Sequence, residues 1–410
     1  MDRTGAITSP TASACWTDGG HYRSPGISPT IHIHSLRRHA SMRMQTMVLA
    51  FLFSLSWPLW TEAAMPSDAS LGFALLKKVS AEHPDSNVII APRNIRTALA
   101  AVATGAEGQT EEQIVALTGE YKDIDNTSLG SAQSAMDIWV APVEKLLPAF
   151  AAGLPGVHVQ STRPQAAPAA INGFVSAHTH GMITHVLDQV PNTGIVLTAV
   201  LYFKGIWQKP FDKNNTKPRP FHVTRDKTAD VDTMFQASEF DYAENDSGQI
   251  IQLPYSGDDH LVMTVFLPKP EASVQSWLTT IDEISWKAML GALHRQSGSL
   301  QIPKLKSTFS TTLGDELKAL GVRRAFANDA QFNGIVEGRN LQISEILHKT
   351  AFAMDEVSTE ASAATSIILR AAAMRRPQPP FSMIVDRPFF LTIGDRSNDR
   401  ILFVGVVNAP

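Results

Sequence analysis

The sequence predicts an α+β fold in which helices come mainly early in the chain and strands mainly late. Apolar residues recur with a helical period in the first part, β-rich runs dominate the second, and the two do not alternate regularly as in βαβ units. A chain of 410 residues with 44% hydrophobic and 18% charged residues is also apolar enough to bury a core. Disorder of the whole chain is therefore excluded.

The N-terminal part predicts export. Met47–Trp60 is an apolar run of 14 residues, whereas a membrane-spanning helix needs about 20. Three arginines precede this run and small residues follow it, which is typical of a secretory signal peptide. We expect residues 1–41 to be an unstructured leader or a mistaken start, residues 42–64 to be the signal peptide, and residues 65–410 to be one domain. The mature protein is expected to be extracellular or periplasmic, with no membrane segment.

The first half of the mature chain predicts helices around a buried strand. Pro92 can open a helix because the first turn does not use its missing N–H, and Thr110 with Gln113 fits a capping box. Ile195–Phe203 is apolar and β-rich, as a central strand requires. In order, we predict a helix at Leu71–Val79, a strand at Asn87–Ile90, helices from Pro92 and from Thr110, a strand at Met136–Val140, a helix at Ala169–Leu187 and the strand at Ile195–Phe203.

The second half predicts mostly strands. Ile250–Tyr255 and Leu261–Leu267 flank a turn and predict a strand pair, and Gly321 is a typical residue just after the end of a helix. The remaining predictions are a helix around Val274 to Ile281, an extended segment at Leu300–Phe309, a helix at Leu313–Leu320, and a C-terminal hairpin of Phe389–Ile393 with Ile401–Val407.

The motifs of common enzymes are missing. The sequence contains no Walker loop, HExxH or G-x-S-x-G, and its single cysteine excludes an intrachain disulfide and a cysteine-based metal site. His178, His180 and His185 are the best metal candidates, with His178 and His185 on nearly one helical face, but solvent-facing histidines are the favoured interpretation. A net charge of −4 argues against nucleic acid as a partner. We therefore predict no enzyme activity, no metal and no cofactor.

The segment from Thr359 to Ala371 has the period of a strand with one buried face. One face is small and apolar and the other is mostly polar. Three prolines and two arginines follow within Met374–Pro380 and cannot continue a central strand. An exposed connection and a low-complexity Ala/Ser linker both remain open. The apolar face holds Thr359, Ala361, Ala363, Thr365, Ile367, Leu369 and Ala371.

Several sequence blocks in a fixed order give the chain a family resemblance. The blocks are Asn87–Pro92 with Gly105–Thr110, Tyr202–Trp207 with Pro210, Phe211 and Thr216, Leu253–Tyr255 with Leu267 and Pro268, Ile302–Leu305, Leu317–Gly321, Ser344–Lys349 leading into Glu356–Thr365, Arg387–Phe389, and Leu402–Gly405. With these blocks the chain resembles the serpin family over residues 68–410. The resemblance implies three β-sheets, eight or nine helices and an exposed reactive-centre loop at about residues 356–380.

The resemblance also implies a function. A serine protease would cleave the loop as a substrate, and the loop would then insert into the main sheet as a new strand and trap the protease. We expect a monomeric inhibitor without a cofactor, acting on an elastase-like or subtilisin-like protease, with a trypsin-like one as the other option. A non-inhibitory serpin-fold binding or chaperone protein is the alternative.

The site residues follow from the same resemblance. Counting sixteen residues on from Glu356 gives Ala372–Ala373 as the reactive bond, with Met374, Arg370, Arg375 and Arg376 as alternatives. The expected hinge comprises Glu356, Ser358, Thr359, Glu360, Ala361, Ser362, Ala363, Ala364 and Thr365. The expected sheet-opening region comprises Ala91, Asn94, Thr198, His348, Trp207 and Lys304. Relative to the family, Ser358 replaces a glycine, Ala91 and Asn94 replace serines, and Thr198 is expected to replace an asparagine.

Overall fold

A computed structural model of the chain describes residues 67–119, 132–142, 145–154, 156–258, 260–338, 341–356, 379–398 and 400–410. The predicted leader and signal peptide, residues 1–41 and 42–64, lie outside these ranges. The described helices are α1 (Asp68–Glu82), α2 (Pro92–Ala103), α3 (Gly108–Thr118), α4 (Pro148–Ala152), α5 (Ala167–His178), α6 (Val274–Thr280), α7 (Glu283–Gly291) and α8 (Gly314–Ala319). No helix among these residues is long and apolar enough to cross a bilayer.

The described strands form three sheets. They are β1 (Val88–Ile90), β2 (Ala132–Val140), β3 (Lys145–Leu146), β4 (His158–Gln160), β5 (Ile195–Lys204), β6 (Lys217–His222), β7 (Thr228–Glu244), β8 (Gly248–Pro254), β9 (Leu261–Pro268), β10 (His294–Pro303), β11 (Leu305–Thr312), β12 (Val336–Glu337), β13 (Ile343–Met354), β14 (Phe381–Ile384), β15 (Phe389–Asp395) and β16 (Arg400–Val407). A nine-stranded sheet has the order β1-β16-β15-β9-β8-β7-β10-β14, with β6 beside β7. The second sheet has the order β11-β13-β5-β2-β4, and β12 pairs with β3. The prediction of an α+β fold with three sheets and eight or nine helices is confirmed, with three sheets and eight α-helices among the described residues.

Helices α1 and α2 form a layer beside the large sheet, and α2 also contacts the five-stranded sheet. Both pack on β16 of the large sheet, and α2 also packs on β5. Their apolar side chains, Leu75 and Leu99 among them, join Leu197 and Val404 in one buried cluster. Burial on both sides explains why β5 is apolar along almost its whole length.

Two of the predicted segments differ in extent. The extended segment Leu300–Phe309 is two strands, β10 and β11, which belong to different sheets, with Lys304 between them. The helix predicted at Ala169–Leu187 ends at His178 as α5, because His180 and Gly181 adopt positive φ angles of 49° and 70°. Such angles are incompatible with a right-handed helix.

The predicted capping box is wrong. Helix α3 begins at Gly108, and its N-cap, Glu107, makes no side-chain cap bond. The Thr110 hydroxyl instead accepts the N–H of Gln331, and the Gln113 amide oxygen accepts the N–H groups of Arg323 and Arg324. Both side chains therefore join α3 to a distant segment and do not cap their own helix.

Candidate functional site

The five-stranded sheet contains one long parallel contact between strands that are far apart in sequence. Strands β5 and β13 pair in parallel over ten residue pairs, from Ile343 opposite Ile195 to Ala353 opposite Lys204. We call this contact the β5–β13 seam. Parallel pairing is slightly less stable per residue than antiparallel pairing. If the two strands separated, each would offer a full row of backbone donors and acceptors to a segment entering between them.

A buried histidine joins the seam to the helix layer. His348 on β13 is fully buried, its Nδ1 lies 3.0 Å from the carbonyl oxygen of Ala199 on β5, and its Nε2 accepts the N–H of Ala91 at 3.1 Å. Because Ala91 N–H can only donate, Nε2 must be unprotonated and the single ring proton sits on Nδ1. Burial lowers the pKa of His348 to about 4, against a smaller opposing effect of the Ala199 bond.

Other polar side chains fasten the same end of α2 beneath the sheet. The Asn94 amide donates to the Ser134 hydroxyl at 2.7 Å and to the carbonyl of Val200 at 3.0 Å. The Thr350 hydroxyl donates to the carbonyl of Ile89 at 2.8 Å. Ser134 and Thr350 were not predicted, although each is a polar residue in a mostly buried strand. The structure thus brings Ala91 and His348 into direct contact, and Asn94 on α2 binds β2 and β5 of the same sheet.

Thr198 lies apart from these residues. In β5 its neighbours Val196 and Val200 belong to clusters with the α5 side chains Ile171 and Val175, so alternation puts Thr198 on the α5 face. The residue opposite His348 is Ala199. Thr198 therefore does not belong to the cluster around His348, because a shift of one residue along a strand exchanges the faces.

We call the end of the seam at Lys204 and Ala353 its upper end. Two side chains contact the last residues before the loop there. Trp207 Nε1 donates to the carbonyl of Asp355 at 2.8 Å, and Lys304 Nζ lies 3.2 Å from a carboxylate oxygen of Glu356. Burial raises the pKa of Glu356, but hydrogen bonds from its own backbone, Thr216 and Lys304 outweigh it, and the pKa stays below its ordinary value. Trp207 and Lys304 therefore fix the chain where it leaves β13, at the end of the seam and away from the contacts of His348.

The remaining predictions for the loop lie outside the described residues. Glu356 is the one described member of the predicted hinge and reactive bond. The others, Ser358, Thr359, Glu360, Ala361, Ser362, Ala363, Ala364, Thr365, Arg370, Ala372, Ala373, Met374, Arg375 and Arg376, fall within residues 357–378.

The three candidate metal-binding histidines do not converge. His178 ends α5 and its Nδ1 bonds the carbonyl of Phe174, whereas His185 lies in the following segment beside Asp188. The two histidines therefore do not share a helical face. Among the residues that the structure describes, no group of three or more potential metal ligands is found.

Acid is expected to weaken the native state through His348. The unfolded chain binds a proton near pH 6.5, while the folded chain resists it down to about pH 4. Stability is therefore complete above pH 6.5 and falls by up to about 3 kcal/mol as the pH drops to 4. Urea denaturation across this range measures the slope. His348→Gln should lose it, whereas His222→Gln, on the surface, should keep it; equal slopes in all three proteins would contradict the assignment.

Comparison with known proteins agrees with this architecture. A family profile described as Serpin (serine protease inhibitor) matches residues 66–410. Iripin-8 of Ixodes ricinus is 29% identical over 371 residues, covering 83% of this chain and 92% of that protein. Glia-derived nexin of Mus musculus is also 29% identical, over 377 residues and the same shares of each chain. The structure of human thyroxine-binding globulin superposes with a TM-score of 0.74 at 26% identity, covering 84% of this chain and 97% of that one.

Proposed function

This chain belongs to the serpin family, and from that premise we propose that it inhibits serine proteases by suicide-substrate trapping. Many serpins inhibit serine proteases, but some do not. In the proposed reaction, the protease serine attacks the carbonyl carbon of Ala372. The bond to the nitrogen of Ala373 breaks, that nitrogen takes up the proton that the serine hydroxyl loses, and an ester joins the serine oxygen to the carbonyl carbon of Ala372. The loop then inserts into the β5–β13 seam before water can hydrolyse that ester.

The observation that carries the proposal is the fit between the seam and the loop. The chain leaves β13 at Met354, at the upper end of the seam, and Glu356 is the last described residue before the loop. The seam is ten residue pairs long, so a strand that fills it needs about ten residues. Residues 359–371 supply thirteen residues with the alternating pattern of a strand. Ala372 would then lie beyond the opposite, lower end of the seam, near Ile195 and Ile343. The protease attached to Ala372 would thus be moved from one end of the sheet to the other.

The alternating side chains support insertion over a passive loop. One face of residues 359–365 is Thr359, Ala361, Ala363 and Thr365. These side chains are small enough to enter between the sheet and the helices beneath it without overpacking. A non-inhibitory serpin has no need of small residues there. Ser358 in place of a glycine lowers the backbone freedom of the hinge and is the feature that argues against rapid insertion.

Mixing the mature protein with elastase, subtilisin and trypsin tests the proposal. We expect an SDS-stable complex with elastase or subtilisin, and a released C-terminal peptide that begins at Ala373. A complex formed only with trypsin would move the reactive bond to Arg370, Arg375 or Arg376, and a new terminus after Met374 would move it there. Loop cleavage without a complex by all three proteases would contradict the inhibitory mechanism.

We also propose that the inhibitor is secreted after removal of residues 42–64. The support is the arginine-flanked apolar run, which is too short to anchor the chain in a bilayer, and the family match, which starts at residue 66. N-terminal sequencing of exported protein should find a first residue near Ala64 or Met65. Exported protein that keeps residues 42–64 would contradict this proposal.

A further inference from the structure

A row of side chains crosses four strands of the five-stranded sheet on the face beneath α5. Leu347 on β13 lies opposite Thr198 on β5, Thr198 opposite Asp137 on β2, and Asp137 opposite His158 on β4. The β5–β13 seam runs between Leu347 and Thr198. Asp137 is therefore only one strand away from the seam, on the face that α5 covers.

Asp137 is a buried carboxylate with few partners. Its side chain is fully buried, and its Oδ1 accepts hydrogen bonds from His158 Nδ1 at 2.5 Å and from Gln160 Nε2 at 2.9 Å. Its Oδ2 is also buried and has no hydrogen-bond partner within the described residues, and the same holds for the Thr198 hydroxyl. A buried carboxylate requires a cation or a proton to offset its lost hydration, and His158 is the group that can supply either.

His158 connects this carboxylate to α5 and to solvent. Its side chain is 45% exposed, so it can exchange protons with water. Its ring stacks on Phe174 of α5 at 4.7 Å between centroids and 16° between planes, and Phe174 in turn contacts the ring of His178 at 4.1 Å. The Asp137–His158 pair thus joins β2, β4 and α5.

Helix α5 and the segment after it cover the seam. One apolar cluster contains Ile171 of α5, Val196 of β5 and Leu347 of β13. A second contains Val175 of α5, Val200 of β5 and Ala351 of β13. Opening the seam separates β5 from β13 and disrupts both clusters, because close-packed interiors do not deform continuously. Firm seating of α5 therefore opposes entry of a strand into the seam.

We propose that the Asp137–His158 pair regulates loop insertion by pH: while the pair holds a proton it keeps β4 and α5 seated across the seam and slows insertion, and when the proton leaves insertion becomes faster. This inference rests on the proposed inhibitory function and adds a regulatory site to it. With the proton, on either group, the pair carries no net charge, so no isolated charge is buried. Without it, a buried charge faces two neutral donors.

The direction of the pH effect follows from burial. Burial raises the pKa of Asp137, and the bonds from His158 and Gln160 oppose that rise. A carboxyl group with a raised pKa contributes stability that is complete at acid pH and is lost as the pH rises through that pKa. The other titratable groups in the covering layer are His178, which reaches Asp137 only through Phe174, and further away His185, Asp188 and Lys349, whose Nζ donates to the carbonyl of His185.

Hydrogen exchange on the whole protein tests the pair without any protease. After correction for the intrinsic pH dependence of exchange, peptides from β4 and α5 should lose protection by about tenfold or more as the pH is raised stepwise from 4 to 8. Asp137→Asn keeps an acceptor for Gln160 but cannot share a proton, so its protection should change less than about twofold. The control His178→Gln should behave like the wild type. If Asp137→Asn does not fold, His158→Gln serves the same purpose. Equal pH dependence in wild type and variant would overturn the proposal.

A second measurement connects the pair to insertion. The fraction of cleaved loop that ends in covalent complex should rise with pH in the wild type and His178→Gln, and stay flat in Asp137→Asn. A pH-dependent exchange pattern with a flat fraction in the wild type would overturn the regulatory step. Absence of complexes at every pH would overturn the inhibitory function and regulation together. In that case, pH-dependent exchange in the wild type would show that the Asp137–His158 pair still responds to pH although the protein is not an inhibitor.

Discussion

Thr359→Arg is expected to turn the protein from an inhibitor into a substrate of the same protease. Thr359 is the first residue of the small apolar face of residues 359–371. Insertion would bury it between the five-stranded sheet and the helices, where a long charged side chain costs at least roughly 1–3 kcal/mol. We expect the protease trapped per loop cleaved to fall about tenfold or more, measured as the stoichiometry of inhibition, while the rate of loop cleavage stays unchanged.

Glu360→Arg is the matched control for this substitution. Glu360→Arg adds the same side chain one position later in the sequence. Residue 360 belongs to the mostly polar face, which would stay on the outer side of the sheet after insertion. Its trapping efficiency should stay within about twofold of the wild type, because surface substitutions usually change stability little. Equal impairment by the two substitutions would contradict the assigned inserting face. Loss of trapping in Glu360→Arg alone would mean that the register is shifted by one residue.

Strands with continuous apolar runs could be predicted well from the sequence. The predicted Ile195–Phe203 became β5 with one extra residue, and the predicted pair around Ile250 and Leu261 became β8 and β9. These segments are buried on both faces or pair with a sequence neighbour, so local composition carries enough information. Their partners in the sheets could not be predicted in this way. The parallel pairing of β5 with β13 joins residues about 150 positions apart, and no strand was predicted at Ile343–Met354.

The end of α5 shows how burial can imitate a helical period. Ile183 and Leu187 are both buried and continue the spacing of Ile171 and Val175. They are buried because the segment after α5 lies over the same sheet, not because the helix continues. The stop signal was the pair His180 and Gly181, whose positive φ angles end the helix. Apolar periodicity alone therefore extended the prediction by nine residues beyond His178.

Sequence reasoning placed Thr198 on the wrong face of β5 and did not find the Asp137–His158 pair. The prediction gave Thr198 the place beside His348 that Ala199 occupies in the structure. Because neighbouring residues of a strand face opposite sides, Thr198 lies on the other face of β5. Asp137 and His158 escaped notice because they are 21 positions apart in sequence and meet only when β2 and β4 pair. A detectable signal did exist: Asp137 interrupts the otherwise apolar run at Met136–Val140 with a charge, which is costly in a buried strand.

Cleavage of the loop is expected to make the protein much more stable. In the uncleaved protein β5 and β13 share one parallel ladder. An inserted strand would form two antiparallel ladders in its place, add hydrogen bonds along both sides, and bury Ile367 and Leu369. The native state before cleavage is then held by a kinetic barrier and not by equilibrium stability. A gain of several kcal/mol should raise the melting temperature by about 10 °C or more.

Calorimetry before and after limited proteolysis with elastase measures this change, with the cut located by mass spectrometry. A cut between Thr365 and Ala373 frees the segment that fills the seam, so it should produce the full rise. Cleaved Thr359→Arg should show little or none of it, because its loop cannot enter beyond the arginine. An unchanged melting temperature in the cleaved wild type would mean that the β5–β13 seam stays closed. The family membership would then stand, and the function would have to be that of a non-inhibitory member.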